Sequence, residues 1–256
     1  MQNFNNCFKK ETINLSIIVV CYNSEKTIKR CLDSIVSQTH LPQEIIIIDG
    51  KSTDKTLEII SEYKEFITTM ISEKDDGIYY AMNKGISFVN TDFFMFLNSD
   101  DYFRNSNCLG EYENSLKNPE IGLLFSNIRY VDNGKITRIW HFYNVKNVSY
   151  LATRIPHPGA VVRKAVIERI GVFNTDFKIA ADYDLLLRIL LNKVKFEHIK
   201  SYIVEMEVGG ASDGNILNTI KQNLEIFKSL RLNGYSLVHV ILFFFDRVRF
   251  KIQQKL

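Results

Sequence analysis

Carboxylates close several short apolar runs in this chain: Asp49 in Asp49-Gly50-Lys51-Ser52-Thr53-Asp54, the pair Asp75-Asp76, and the pair Asp100-Asp101 within Asn98-Ser99-Asp100-Asp101. A further polar cluster, Tyr22-Asn23, closes the first run. Adjacent carboxylates such as Asp100 and Asp101 offer hard oxygen ligands of the kind Mg²⁺ or Mn²⁺ take, and those ions bridge phosphates. A cation there would act as a Lewis acid on a leaving diphosphate; the plainer alternative is that the pair caps the next turn. The loop after the first run reads Tyr22-Asn23-Ser24-Glu25, with neither G-x-G-x-x-G nor G-x-x-x-x-G-K-[ST]. Without a glycine-lined phosphate cradle, an anionic substrate has to be neutralised in another way, and a metal bridge is the reading the aspartates favour.

The runs that position these clusters are Leu15–Cys21, Glu44–Ile48, Ile67–Ser72 and Asp92–Leu97, rich in Ile, Val, Phe and Met as expected of strands buried on both faces. Segments of helical spacing lie between them. Ser24 is the expected cap of the first helix, Ser52 or Thr53 of the second, and Gly77 opens the third. Alternating strands and helices imply a parallel sheet, whose ligands bind outside the carboxyl ends of the strands. All four clusters should therefore meet along one rim. From about residue 104 the alternation weakens. Ser106–Lys117 reads as a helix, Ile121–Val131 and Lys135–Phe142 as strands joined by a turn at Asp132-Asn133-Gly134, Ala181–Asn192 as a helix, Lys195–Glu207 as a strand and Gly214–Asn233 as a helix. One continuous mixed sheet is expected over 15–212, in halves 15–103 and 104–212, after a polar lead-in at 1–14 and before a helical tail at 213–256.

Hydrophobic residues at 46% and charged residues at 24% describe an ordinary globular protein. A net charge of +3, with no Cys/His finger or long basic arm, argues against nucleic acid as a partner. Cys7, Cys21, Cys31 and Cys108 lack paired spacing and read as buried free thiols in a reducing compartment. The first residues lack the apolar core of a signal peptide, so a cytoplasmic location is expected.

Taken in order, Leu15–Asn23, Ile48–Asp54, Ser72–Gly85 and Leu97–Asp101 resemble the motifs of family 2 glycosyltransferases, nearest to bacterial enzymes that build capsule, O-antigen and colanic-acid-like polysaccharides. The match is firm over 15–101 and weaker to about residue 212. The resemblance implies a GT-A fold, with a Rossmann-like nucleotide-sugar half joined to an acceptor half. It also implies inverting transfer of a sugar from a nucleotide diphosphate donor to a glycan or glycolipid. Tyr22, Asn23 and Asp49 would hold the nucleoside, with Asp49 reading the base edge. Asp75, Gly77, Asn83 and Lys84 would line the donor pocket. The usual D-x-D metal motif here begins with Asn98, which is placed among the substrate contacts, leaving Asp100 and Asp101 as ligands of Mg²⁺ or Mn²⁺. Inversion needs a base on the acceptor side. Asp182 matches its position, although Ala181 stands where a glutamate is usual; Asp184 is the second candidate, and helix capping by both acids the alternative. Arg188 reads as a surface partner of Asp184. His157 matches a stretch near the acceptor site or is a loop residue; Gly209-Gly210-Ala211-Ser212 is a donor-covering loop or a turn; Trp140 stacks on an acceptor sugar or packs in the core. A sugar-nucleotide pyrophosphorylase and an inactive nucleotide-sugar-binding module are the competing readings.

The tail is apolar from Leu237 to Phe245, then basic at Arg247, Arg249, Lys251 and Lys255. Nine residues cannot span a bilayer. The pattern suits docking on the anionic inner face of the cell membrane, packing on the body, or a homodimer contact.

Overall fold

The computed structural model describes residues 11–208 and 216–253. Its first part alternates as expected: β1 (Glu11–Cys21), α1 (Ile28–Val36), β2 (His40–Asp49), α2 (Thr56–Ser61), β3 (Thr69–Ser72), α3 (Ile78–Ser87) and β4 (Phe93–Phe96). The second part runs β5 (Tyr102–Phe103), α4 (Glu113–Leu116), β6 (Leu123–Asp132), β7 (Lys135–Trp140), α5 (Val148–Ala152), β8 (Ala160–Arg163), α6 (Lys164–Ile170), α7 (Ala181–Leu191), β9 (Phe196–Glu207), α8 (Ile216–Leu232) and α9 (Leu237–Gln253). Among the described residues the strands form a single mixed sheet in the order β3-β2-β1-β4-β8-β6-β9-β5, with β7 paired to β6. β1 to β4 are mutually parallel, and Cys21 lies level with Asp49, as Asp49 does with Ser72. Their carboxyl ends therefore form the one rim that the sequence pattern requires.

Alternating residues of the central strands feed two cores. Ile18, Val20, Ile46, Ile48, Phe94 and Phe96 face one side, where α3, α7, α8 and α9 pack. Ile17, Val19, Ile45, Ile47 and Met95 face the other, against α1. On the first side α3 approaches so closely that a Cβ on Gly85 would lie 2.4 Å from Ile18 Cγ2. The inner faces of α8 and α9 supply Ile226, Leu230, Val240 and Phe243 to this same core.

Several expectations are corrected. β3 is an edge strand whose residues alternate between half-buried and exposed, so it is not covered on both faces. None of Ser24, Ser52 and Thr53 caps a helix: α1 starts after Thr27 and α2 after Lys55, and neither of these two residues caps with its own side chain. Ser52 is drawn instead to the buried Asp49, and Asp54 accepts the first N–H of α2 from Thr56. The helix expected over Ser106–Lys117 shrinks to a 3-10 turn at Gly110–Tyr112 continuing into α4. Asn105 takes the Asn107 N–H, and Gln38 bonds the Asn105 carbonyl and the Leu109 N–H, so local bonds outcompete helix there. The hairpin turn stands, with positive φ at both Asn133 and Gly134. Elements α5, β8 and α6 were not anticipated. Cys21, Cys31 and Cys108 are buried free thiols. Cys7, the rest of the lead-in before Glu11 and Gly209–Ser212 lie outside the described residues.

Candidate active site

The rim begins where β1 and β2 end. Tyr22 is 63% exposed, and its ring stands over Gly50, where an added Cβ would lie 3.3 Å from Tyr22 Cδ2. Asn23 adopts the left-handed conformation (φ +48°) that asparagine tolerates. It zips the two loops together: its N–H donates to Ser52 Oγ at 2.8 Å, and its side-chain oxygen accepts the Thr53 N–H at 2.9 Å. Asp49 is fully buried. Its carboxylate accepts the Ser52 N–H and hydroxyl, the Ser72 hydroxyl and, weakly, the Cys21 thiol. These bonds tie the Asp49 carboxylate to the Gly50–Asp54 loop and to β3, at the part of the rim where the resemblance implies a nucleoside.

Across the rim, Gly77 precedes α3 at φ +136°, a conformation that glycine alone takes readily. Lys84 on α3 reaches back to Asp75 at 2.6 Å and Glu73 at 2.7 Å, which holds its ammonium above its usual pKa. The other Asp75 oxygen, Oδ2, is buried with no partner. Asn83 lies on the same helix. Both ends of its amide are used by the Phe173 backbone, donating to the carbonyl at 2.9 Å and accepting the N–H at 3.0 Å. The two bonds tie α3 to the loop before α7.

At the end of β4, Asp101 is 2% exposed and accepts a 3.2 Å bond from Asn98 Nδ2. Burial, reinforced by the Asp100 charge, pushes its carboxyl well above the usual range. Asn98 Oδ1 is buried without a partner. Arg30 braces the loop from below, donating to the Asp100 carbonyl at 3.1 Å and pairing with Glu207 at 2.6 Å. Neither Arg30 nor Glu207 was legible beforehand, because the contact joins α1 to the far end of β9. The oxygen-only set of Asn98 Oδ1, Asp100 and Asp101 fits a hard divalent cation, which would satisfy the orphaned oxygen and relieve the buried charge.

Asp182 opens α7 and is half-buried, with its Oδ1 accepting the Tyr183 N–H at 2.8 Å. Its charge bears on the His157 imidazole, which burial otherwise holds below its ordinary pKa, and on the buried Tyr79 hydroxyl. His157 stacks on Phe96, the last residue of β4, with centroids 5.6 Å apart. His157 thus sits at the end of β4 within reach of the Asp182 charge, and Tyr79, which the sequence reading does not single out, donates to the Ile179 carbonyl just before α7. Asp184 is elsewhere. It is buried, bonded to Arg188 at 2.9 Å and to Ser229 Oγ at 2.7 Å. Arg188 also donates to the carbonyls of Ile170, Gly171 and Val172. This pair is an internal anchor of α7 and not the surface pair expected, and Asp184 falls away as a second candidate base. Trp140 stacks on Tyr130 and donates to the Arg154 carbonyl at 3.1 Å, the packing alternative.

Glu11, His40 and Glu113 also converge, with His40 Nε2 3.0 Å from Glu11 and 3.6 Å from Glu113. They gather where β1 and β2 begin, at the end of the sheet away from the rim, and so are no part of this site.

A profile of the family described as Glycosyl transferase family 2 matches residues 16–171. The PGL/p-HBAD biosynthesis glycosyltransferase of Mycobacterium tuberculosis is 27% identical over 211 residues, 77% of this chain and 78% of its own. TarS from S. aureus in complex with UDP-GlcNAc superposes with a TM-score of 0.68 at 20% identity, over 88% of this chain and 69% of that one; of a longer TarS chain, 42% is covered. The mannosyltransferase PcManGT from Pyrobaculum calidifontis, in complex with GDP-Man and Mn²⁺, gives a TM-score of 0.63 at 18% identity, over 86% and 64%. The sheet is that of a GT-A glycosyltransferase, and the chain belongs to glycosyltransferase family 2.

Proposed function

We propose that this chain is an inverting, metal-dependent glycosyltransferase that passes a hexosyl group from a nucleotide diphosphate sugar to a hydroxyl of a growing, lipid-linked surface polysaccharide. The reading is supported by the acidic loop at the end of β4, where Asp101 is buried and Asn98 Oδ1 lacks a partner, together with the half-buried Asp182 at the start of α7, whose charge reaches the imidazole stacked on the last residue of β4. Tyr22 offers an exposed ring for a nucleobase. The unpartnered Asp75 Oδ2 is an acceptor for a donor hydroxyl. Asn98, Asp100 and Asp101 would hold Mg²⁺ or Mn²⁺, which when bound neutralises a departing diphosphate. Asp182 takes the proton of the acceptor hydroxyl as that oxygen bonds to the anomeric carbon. The bond from that carbon to the diphosphate breaks, and its electrons leave with the nucleotide. Attack from the face opposite the leaving group inverts the centre.

Two measurements test this. Thermal melts with UDP, GDP, UDP-GlcNAc and GDP-mannose, each with Mn²⁺ or EDTA, should show one nucleotide raising Tm in a metal-dependent manner, since a ligand of the native state stabilises it. NMR of the first sugar product should show the opposite anomeric configuration to the donor. No stabilisation by any nucleotide removes the donor reading, and a retained configuration removes inversion.

Lipid linkage of the acceptor would place the enzyme at a membrane surface. Among the described residues no helix is long and apolar enough to cross a membrane. However, α8 exposes Leu217, Ile220, Leu224 and Phe227, and α9 exposes Val238, Ile241, Leu242 and Phe245, each at helical spacing on the faces turned away from the core. The basic contribution differs from expectation at Arg247, which turns inward to Asn223 at 3.0 Å, with its pKa lowered by burial. The side chains of Arg249 and Lys251, and the whole of Lys255, lie outside the described residues. The chain should therefore co-sediment with phosphatidylglycerol vesicles at low salt. Replacing Leu217, Val238 and Phe245 together with glutamine should release it at unchanged Tm. Wild-type protein that ignores such vesicles would sink the membrane reading.

A further inference from the structure

The loop that delivers Asp182 is held by a residue nearly fifty positions away in sequence. Glu225 of α8 accepts three successive backbone N–H groups, from Lys178 at 2.9 Å, Ile179 at 2.9 Å and Ala180 at 2.8 Å. These groups lead directly into the first turn of α7, whose cap residue, Ala180, offers no side-chain acceptor. A carboxylate taking three backbone donors makes charge-assisted bonds, and it lies at the helix end where negative charge is favoured. From the other side, the Tyr79 hydroxyl donates to the Ile179 carbonyl at 3.0 Å. The segment is gripped between α3, which borders the donor pocket, and α8, whose outer face carries the exposed apolar stripe.

We infer that Glu225 is a positioning residue that fixes the Asp182 carboxylate for proton abstraction, an inference that rests on Asp182 being the base. Reactions are sensitive to small displacements of a catalytic group: an error of about 1 Å can cost on the order of 100-fold in rate. Glu225 touches no reacting atom, and its effect passes entirely through residues 178–182.

The test is a double-mutant cycle of Glu225→Ala with Asp182→Asn, on the full chain, using Mn²⁺ and whichever of UDP-GlcNAc and GDP-mannose stabilises it, with water as acceptor. In the wild-type background, Glu225→Ala should lower kcat about 10- to 100-fold while the donor KM stays within about twofold, because the donor contacts are untouched. In the Asp182→Asn background the same substitution should cost almost nothing further, the signature of residues acting in one unit. Glu225→Gln keeps an acceptor oxygen and should recover part of the loss; it also serves if the alanine variant does not fold. Independently of turnover, hydrogen exchange should quicken at the amides of residues 178–180 in Glu225→Ala. As a control, Lys228→Ala removes an exposed α8 contact to Asp176 and should change none of these readings. Full kcat in folded Glu225→Ala, or an equal loss in both backgrounds, overturns the inference. An active Asp182→Asn enzyme defeats the base reading itself, which is a separate outcome.

Discussion

Replacing Asp182 with asparagine is expected to lower kcat by about 10² to 10⁴-fold, the usual contribution of a general base, while donor affinity stays nearly constant. The asparagine keeps an oxygen that accepts the Tyr183 N–H but cannot accept a proton from the acceptor hydroxyl. Asp184, two residues on, gives the contrast. Asp184→Asn should leave kcat of the folded enzyme close to wild type, yet it should cost about 3 kcal/mol of stability by removing one partner of a buried ion pair. Steady-state kinetics and urea melts on the two variants separate these outcomes. If Asp184→Asn loses turnover and Asp182→Asn does not, the base has been assigned to the wrong carboxylate.

The second large effect runs in opposite directions in one variant. Asp101 is buried beside Asp100, and without a cation its charge is poorly compensated, which is why its carboxyl is pushed up. Asp101→Asn removes that burden and can still accept from Asn98. In EDTA the variant should melt above wild type, and each kcal/mol relieved is worth about 2–4 °C in a chain of this size. With Mn²⁺ the order should reverse, since the variant loses the metal-dependent rise, and transfer should fall to background. A functional site kept at the expense of stability has this pattern. A variant that melts lower in EDTA and still responds fully to Mn²⁺ would show that Asp101 serves packing instead.

The parallel half of the fold was legible because its strands are apolar runs of the right length, each ended by a polar cluster, and periodicity of that kind reports burial directly. The second half, after β4, was harder for identifiable reasons. β5 has two residues and β8 four, too short for any alternation to register. The 106–117 segment has helix-forming residues but is diverted by side-chain bonds from Asn105 and Gln38. For the site, residue type and place along the rim were readable, but not the partners. Asp49 and Asn83 look alike in sequence as polar residues near a ligand, yet one is sealed beneath its own loop and the other spent on the Phe173 backbone. Asp182 and Asp184 differ by two positions on a helix, which turns one toward His157 and the other toward Ser229. Facing of that sort depends on tertiary contacts, and Glu225, brought in from α8, could not have been found from the loop it holds.

β5 carries a consequence for the order in which the molecule is made. It begins immediately after Asp101, but its partner strand β9 supplies Val204 and Glu205, roughly a hundred residues later in the chain. During synthesis the parallel half can begin to collapse as soon as β4 emerges, since β1 to β4 pair with one another and only the outer edge of β4 waits for β8. The acidic loop stays tethered at one end until β9 leaves the ribosome. The chain therefore assembles its parallel half early and completes its acidic loop late, and a ribosome stalled before residue 200 would present the parallel strands with that loop still unanchored by β9.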